Sequence, residues 1–69
     1  MNVTIDYTNW RGERRRRRIR PLRFYFGEVS WHPGQQWLMD AVDLDREKTD
    51  DDIRTRTFAL SGVHSWRNG

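Results

Sequence analysis

A chain of 69 residues has room for one domain, near the lower size at which a hydrophobic core holds a fold without staples. It contains no cysteine, which excludes disulfides and thiolate metal sites. No apolar run approaches the roughly 18 residues that cross a bilayer, and Met1 to Asp6 lacks the basic-then-apolar layout of a secretory leader, so the expected location is cytoplasmic.

The net charge is only +3, but residues 1–35 carry eight Arg against three carboxylates, and residues 36–69 carry five basic against seven acidic groups. One positive and one acidic surface are therefore expected. Twelve of the thirteen basic residues are Arg. The planar guanidinium fork binds phosphate bidentately and stacks on bases, where Lys acts as a point charge; codon bias in a GC-rich genome is the bland explanation of the same preference. The apolar fraction of 35% is low, but nine aromatic residues, four of them Trp, bury enough area to fill a small core.

Val3, Ile5 and Tyr7 alternate with polar residues, the period of a half-buried strand. Thr8 to Glu13 reads as a hairpin loop, after which Arg14 to Arg20 returns as a second strand ending at Pro21. With Ile19 pointing inward, Arg17 and Arg15 share its face, and Arg14, Arg16, Arg18 and Arg20 share the other. Guanidinium groups are not buried unpaired, so the inward face must open near Arg15, making the hairpin tip a basic finger.

Leu22, Phe24 and Phe26 mark a third strand. Trp31 to Gln35 reads as a turn, Pro33-Gly34 suiting its central positions. Gln36 to about Leu44, with Trp37, Met39 and Ala41 alternating, is a fourth strand. Asp45 to Asp52 is a charged, solvated loop; it lacks the Gly and the terminal Glu of a calcium loop. Ile53 to Leu60 is a fifth strand, and Ser61 to Trp66 is expected to form one helical turn. Five short strands without a helical period give an all-β fold, laid out as a small five-stranded antiparallel barrel with a short C-terminal helical turn, in a single domain over residues 1–69.

Tyr7, Gly12-Glu13, Arg18-Ile19-Arg20-Pro21-Leu22, Gln36-Trp37-Leu38-Met39-Asp40-Ala41 and Arg56-Thr57-Phe58-Ala59-Leu60 fall in the order and spacing of a WYL domain, which the chain resembles over about residues 3 to 66. The triplet that names the family stands here as Trp37-Leu38-Met39. The resemblance implies an SH3-like (Sm-like) barrel that binds nucleic acid or a nucleotide, often as the regulatory part of a bacterial transcription factor, where a helical DNA-binding domain precedes it. Here the strand pattern already starts at Val3, so a standalone module is expected. Matched residue by residue, the family's basic pocket implies Tyr7, Arg18 and Arg56. Ser61-Gly62-Val63 replaces the family's Arg-containing closing motif, and the arginine hairpin is expected to substitute for that Arg.

The expected binding set is Tyr7, Trp10, Arg11, Arg14, Arg16, Arg18, Arg20 and Arg56: the arginines for phosphates, Tyr7 and Trp10 for a base or ribose. Trp10 stands in the loop and is the aromatic most readily assigned to binding, with Tyr25 and Trp31 as further stacking candidates; Trp37, Phe24, Phe26 and Phe58 are assigned to the core. His32 reads as a turn residue, and neither His32 nor His64 has neighbours suggesting a metal site or a triad. No enzyme, metal or cofactor is expected. A single strand is the favoured partner, because no recognition helix is available for a major groove and stacking needs splayed bases. The competing reading is a protein-interaction module, a split-regulator subunit or phage-type inhibitor, that docks its arginines on an acidic partner. Pairing of the acidic loop with another copy's arginines would give a homo-oligomer.

Overall fold

The computed structural model describes residues 1–30, 32–45 and 55–69, without the side chains of His32 and Pro33. The expected charged loop, Trp31, Ile53 and Arg54 lie outside these residues, apart from Asp45. The described chain forms five strands: β1 (Val3–Thr8), β2 (Arg14–Val29), β3 (His32–Asp43), β4 (Thr55–Ala59) and β5 (Val63–Asn68), with a 3-10 turn over Leu60–Gly62 between the last two. All pairings are antiparallel, in one sheet of order β4-β3-β2-β1-β5. The fold is all-β, as the alternation in the sequence predicts.

The strands are divided differently from expectation. The second and third expected strands are one 16-residue strand, β2. Pro21 does not end it, because the register with β3 slips between Pro21 and Arg23, and such a bulge accommodates a residue without an N–H. Pro33 and Gly34 do not form the turn either. They lie within β3, and the reversal falls between Val29 and His32, which pair. At the C-terminus the helical turn shortens to Leu60–Gly62, and the remaining residues are β5, paired with β1 from Val3↔Asn68 to Tyr7↔Val63.

The first part of β2 pairs with β1 and the rest with β3, and Ile19 belongs to both ladders, opposite Val3 and Asp43. The register slip that follows, between Pro21 and Arg23, bends the strand and carries the sheet around with it. Strands β4 and β5 are the two edges of the sheet, yet only three residues connect them. Such a link reaches about 10 Å, so the sheet must curl until its edges nearly meet. Among the described residues no ladder joins them, and the sheet is not closed.

The concave face holds the core, built by Val3, Ile5, Tyr7, Ile19, Met39, Ala41 and Phe58, with Leu60 and Val63 packed against it. The Tyr7 ring meets Phe58 edge-on at 4.9 Å, and its hydroxyl accepts the Ala59 N–H at 3.1 Å, tying β1 to β4 across the curl. Phe58 is in the core as expected. Phe24, Phe26 and Trp37 are not: each is more than half exposed. They occupy the core-facing side of the sheet, but beyond the stretch that β1 covers.

On the other face Asp40 ties three strands. Its carboxylate accepts from Arg23 Nε at 2.8 Å, the Tyr25 hydroxyl at 3.1 Å and the Thr57 hydroxyl at 2.7 Å. Partial burial pushes its pKa up, but the hydrogen bonds from Arg23, Thr57 and Tyr25 outweigh this and hold it below its ordinary 3.8. A carboxyl whose folded pKa is depressed stabilises the fold above the unfolded value, and that contribution is lost as pH falls through the folded one. The stability gap between the wild type and Asp40→Asn should thus be constant at neutral pH and shrink below about pH 4, measured by urea titration at a series of pH values. A gap that widens on acidification would contradict the assignment.

Candidate anion-binding cleft

Asn9 orders the hairpin tip. Its side-chain oxygen accepts the backbone N–H of Arg11 at 2.9 Å and of Glu13 at 3.0 Å, and its carbonyl accepts the Gly12 N–H at 2.9 Å. Gly12 takes φ +81° to close the turn, a conformation glycine adopts without strain. The tip is thus a defined loop, and Trp10 projects from it 61% exposed, with the Arg11 guanidinium 5.0 Å from its ring centre.

Alternation along β2 then divides the arginine run. The partners in the ladder are Tyr7↔Arg15, Ile5↔Arg17 and Val3↔Ile19, so Arg15 and Arg17 lie on the concave face. There they line a cleft of about 450 Å³ with Asn9, Trp10, Arg11, Glu13 and Arg56. Among the described residues its lining carries four guanidiniums and one carboxylate. Arg56 is carried by β4 opposite Ala41 and reaches the cleft from the other wall. A smaller recess, about 70 Å³, leads from it down to Tyr7 and Phe58.

Arg17 is the inner wall and is only 8% exposed. Its Nη1 donates to Asp43 Oδ2 at 3.1 Å, and Asp43 also accepts the Asp45 N–H at 3.1 Å through its other oxygen. The Nε of Arg17 is buried and has no hydrogen-bond partner among the described residues. Buried polar atoms are almost always paired, so this donor is a cost that packing alone does not explain.

On the far side of Trp10 lies a second cleft of about 320 Å³, walled by Tyr7, Thr8, Ala59, Ser61, Gly62 and His64. Among the described residues it carries no arginine. His64 Nε2 lies 2.7 Å from the Thr8 hydroxyl on its floor. Trp10 is the partition between a cationic and an uncharged compartment.

Of the eight residues expected from sequence, Tyr7, Trp10, Arg11 and Arg56 meet around these clefts. Arg14, Arg16, Arg18 and Arg20 do not, since they occupy the convex face. Arg14 forms a two-pronged pair with Asp6, Nε to Oδ1 at 3.0 Å and Nη2 to Oδ2 at 2.9 Å, and this contact holds the Asp6 carboxyl below its ordinary range and raises the Arg14 guanidinium. Arg18 gives Asp45 both its backbone N–H and its Nε, at 3.0 and 2.9 Å, and these bonds lower the Asp45 carboxyl. The basic run is therefore an integral strand, with part of its charge answered by the same chain. Arg16 and Arg20 are exposed. Tyr25 is engaged by Asp40 and by the Arg23 guanidinium, 4.5 Å from its ring centre.

Arg15 and Arg17 are the residues that sequence reasoning left out of the binding set, although their shared parity with Ile19 places them on its face. No family model, curated protein or solved structure matches the chain. Among the described residues, no helix is long and apolar enough to cross a membrane.

Proposed function

We propose that the chain is a non-enzymatic, WYL-like module with an SH3-like barrel architecture, a small cytoplasmic regulator or accessory factor that binds single-stranded nucleic acid or a nucleotide at the hairpin tip. The convergence of Arg11, Arg15, Arg17 and Arg56 beside an exposed Trp10 carries this reading. Phosphate sits among the guanidiniums of Arg11, Arg15 and Arg56, with Arg17 as the inner wall behind them. The base lies against Trp10 and toward the uncharged cleft over Tyr7. Combining a cationic groove with an aromatic stacking platform is the usual way of holding an unpaired strand.

Titration of a labelled oligothymidylate and its RNA counterpart at several salt concentrations tests this. With about three phosphates neutralised, log affinity should fall against log salt with a slope of roughly −2. Arg15→Ala should reduce that slope by about 0.7. Trp10→Ala should weaken binding about ten- to a hundredfold and leave the slope unchanged. Absence of binding at about 20 mM salt, where phosphate contacts are strongest, refutes the proposal.

A second reading, docking on an acidic protein surface, is favoured by Arg16 and Arg20, which are exposed on the convex face away from the cleft. A protein that ignores oligonucleotides but binds polyglutamate, and loses that binding in Arg16→Ala/Arg20→Ala, would support it.

A further inference from the structure

The end of the curled sheet remote from the hairpin tip bears Phe24 and Phe26 of β2, Trp37 of β3 and Trp66 of β5. They are 53%, 54%, 57% and 41% exposed, and Leu22 beside them is 53% exposed. These rings form one surface. Phe26 and Trp37 face each other across the ladder with ring centres 5.5 Å apart, and Phe24 and Trp66 lie 6.2 Å apart. Large apolar side chains are not left in water in such a cluster unless something covers them.

We propose that this aromatic surface is the contact face of a homodimer, two copies packing it against itself about a two-fold axis. Area and charge both point to a second copy. Half-exposed rings of this size, which bury 150–250 Å² when fully covered, offer roughly 400–600 Å² per copy together with Leu22. Paired face to face, two such surfaces remove about 1,000 Å², the lower limit for a specific interface. Close to a two-fold axis a residue meets its own counterpart, so like charges there would repel. The alternation of the strands keeps the nearest cations off this surface. Arg23 and Arg67, the cationic neighbours of Phe24 and Trp66 in sequence, fall on the opposite face, and Arg23 is paired there with Asp40. The same lack of cations among the described residues argues against a nucleic-acid strand as the occupant, since stacking platforms for single strands combine rings with a positive groove.

Sedimentation equilibrium across protein concentrations tests the proposal with the intact chain and no ligand. The wild type should run at twice its 8.4 kDa monomer mass, with a dissociation constant in the micromolar range expected of a small interface. Trp37→Glu, at a position that is exposed in the single copy, should sediment as a folded monomer with an unchanged circular dichroism spectrum. Phe26→Asp should behave the same way. A wild type that stays monomeric at about millimolar concentration, far above any micromolar constant, overturns the proposal. So does a dimer unaffected by both substitutions. A monomer whose Trp fluorescence is quenched by oligothymidylate, with that quenching lost in Trp37→Glu but kept in Arg15→Ala, would assign the surface to nucleic acid instead.

Discussion

Asp43→Asn should lower the stability of the protein by about 3–5 kcal/mol, the usual consequence of removing one partner from a buried ion pair. Asn has the shape of Asp, so no cavity forms, and its oxygen still accepts the Asp45 N–H. What disappears is the charge that Arg17 sits against at 3.1 Å in the interior. The Arg17 guanidinium is more than nine-tenths buried and already has one donor without a partner among the described residues. At about 0.05–0.15 kcal/mol per residue, a chain of this size has a total of only about 3–10 kcal/mol. The variant should lose between about a third and all of that stability, as urea titration monitored by Trp fluorescence would show. Replacing both partners, Arg17→Met with Asp43→Leu, should return most of the loss, because an apolar pair of similar volume often equals a buried ion pair. That doubly substituted protein would be folded and yet poor at binding oligonucleotides. If Asp43→Asn unfolds at the wild-type urea midpoint, the pair contributes nothing to the fold.

Gly62→Ala should cost about 2–4 kcal/mol, at or above the upper end of ordinary overpacking. Backbone conformation is not the reason. A methyl group at this position would run into the Thr8 carbonyl oxygen and stand 2.8 Å from Cε1 of the Tyr7 ring. Neither obstacle swings aside. The carbonyl belongs to β1, and Tyr7 is wedged against Phe58 with its hydroxyl holding the Ala59 N–H. Relief requires the 3-10 turn to move away from β1, which disturbs both the link between the sheet edges and the wall of the uncharged cleft. The variant should therefore lose thermal stability and bind oligonucleotides more weakly, with the salt slope preserved because the arginines are elsewhere. A melting temperature equal to that of the wild type would show that the turn shifts freely.

Strand β1 and the inward parity of Arg15 and Arg17 were legible in the sequence because both follow from period-two alternation about Val3, Ile5, Tyr7 and Ile19. The partner of Arg17 was not. Asp43 faces it through the register of β2 with β3, which depends on a bulge at Pro21 that local patterning does not encode. The same bulge turns two apparent strands into one. Residues 63–68 show no strand signal of their own and become β5 by pairing with β1, some sixty positions earlier, so tertiary context overrides a weak local preference. The aromatics of β2 and β3 illustrate a further limit. Alternation shows that Phe24, Phe26, Trp37 and Met39 share a face, and Met39 is fully buried while the other three are not, because covering neighbours reach only part of that face. In the same way the sequence shows Arg14 and Arg18 as cations but not the carboxylates of Asp6 and Asp45 that the fold sets beside them.

The pairing of β1 with β5 also governs how the molecule assembles. Val3 must find Asn68, and the entropy lost in closing so wide a loop is repaid only after most of the chain is in place. Contacts near in sequence, the hairpin of β2 with β3 and that of β1 with β2, are available sooner. Folding is then expected on the millisecond-to-second scale of nonlocal β topologies, far slower than a helical bundle of equal length, with the docking of β5 as its late event.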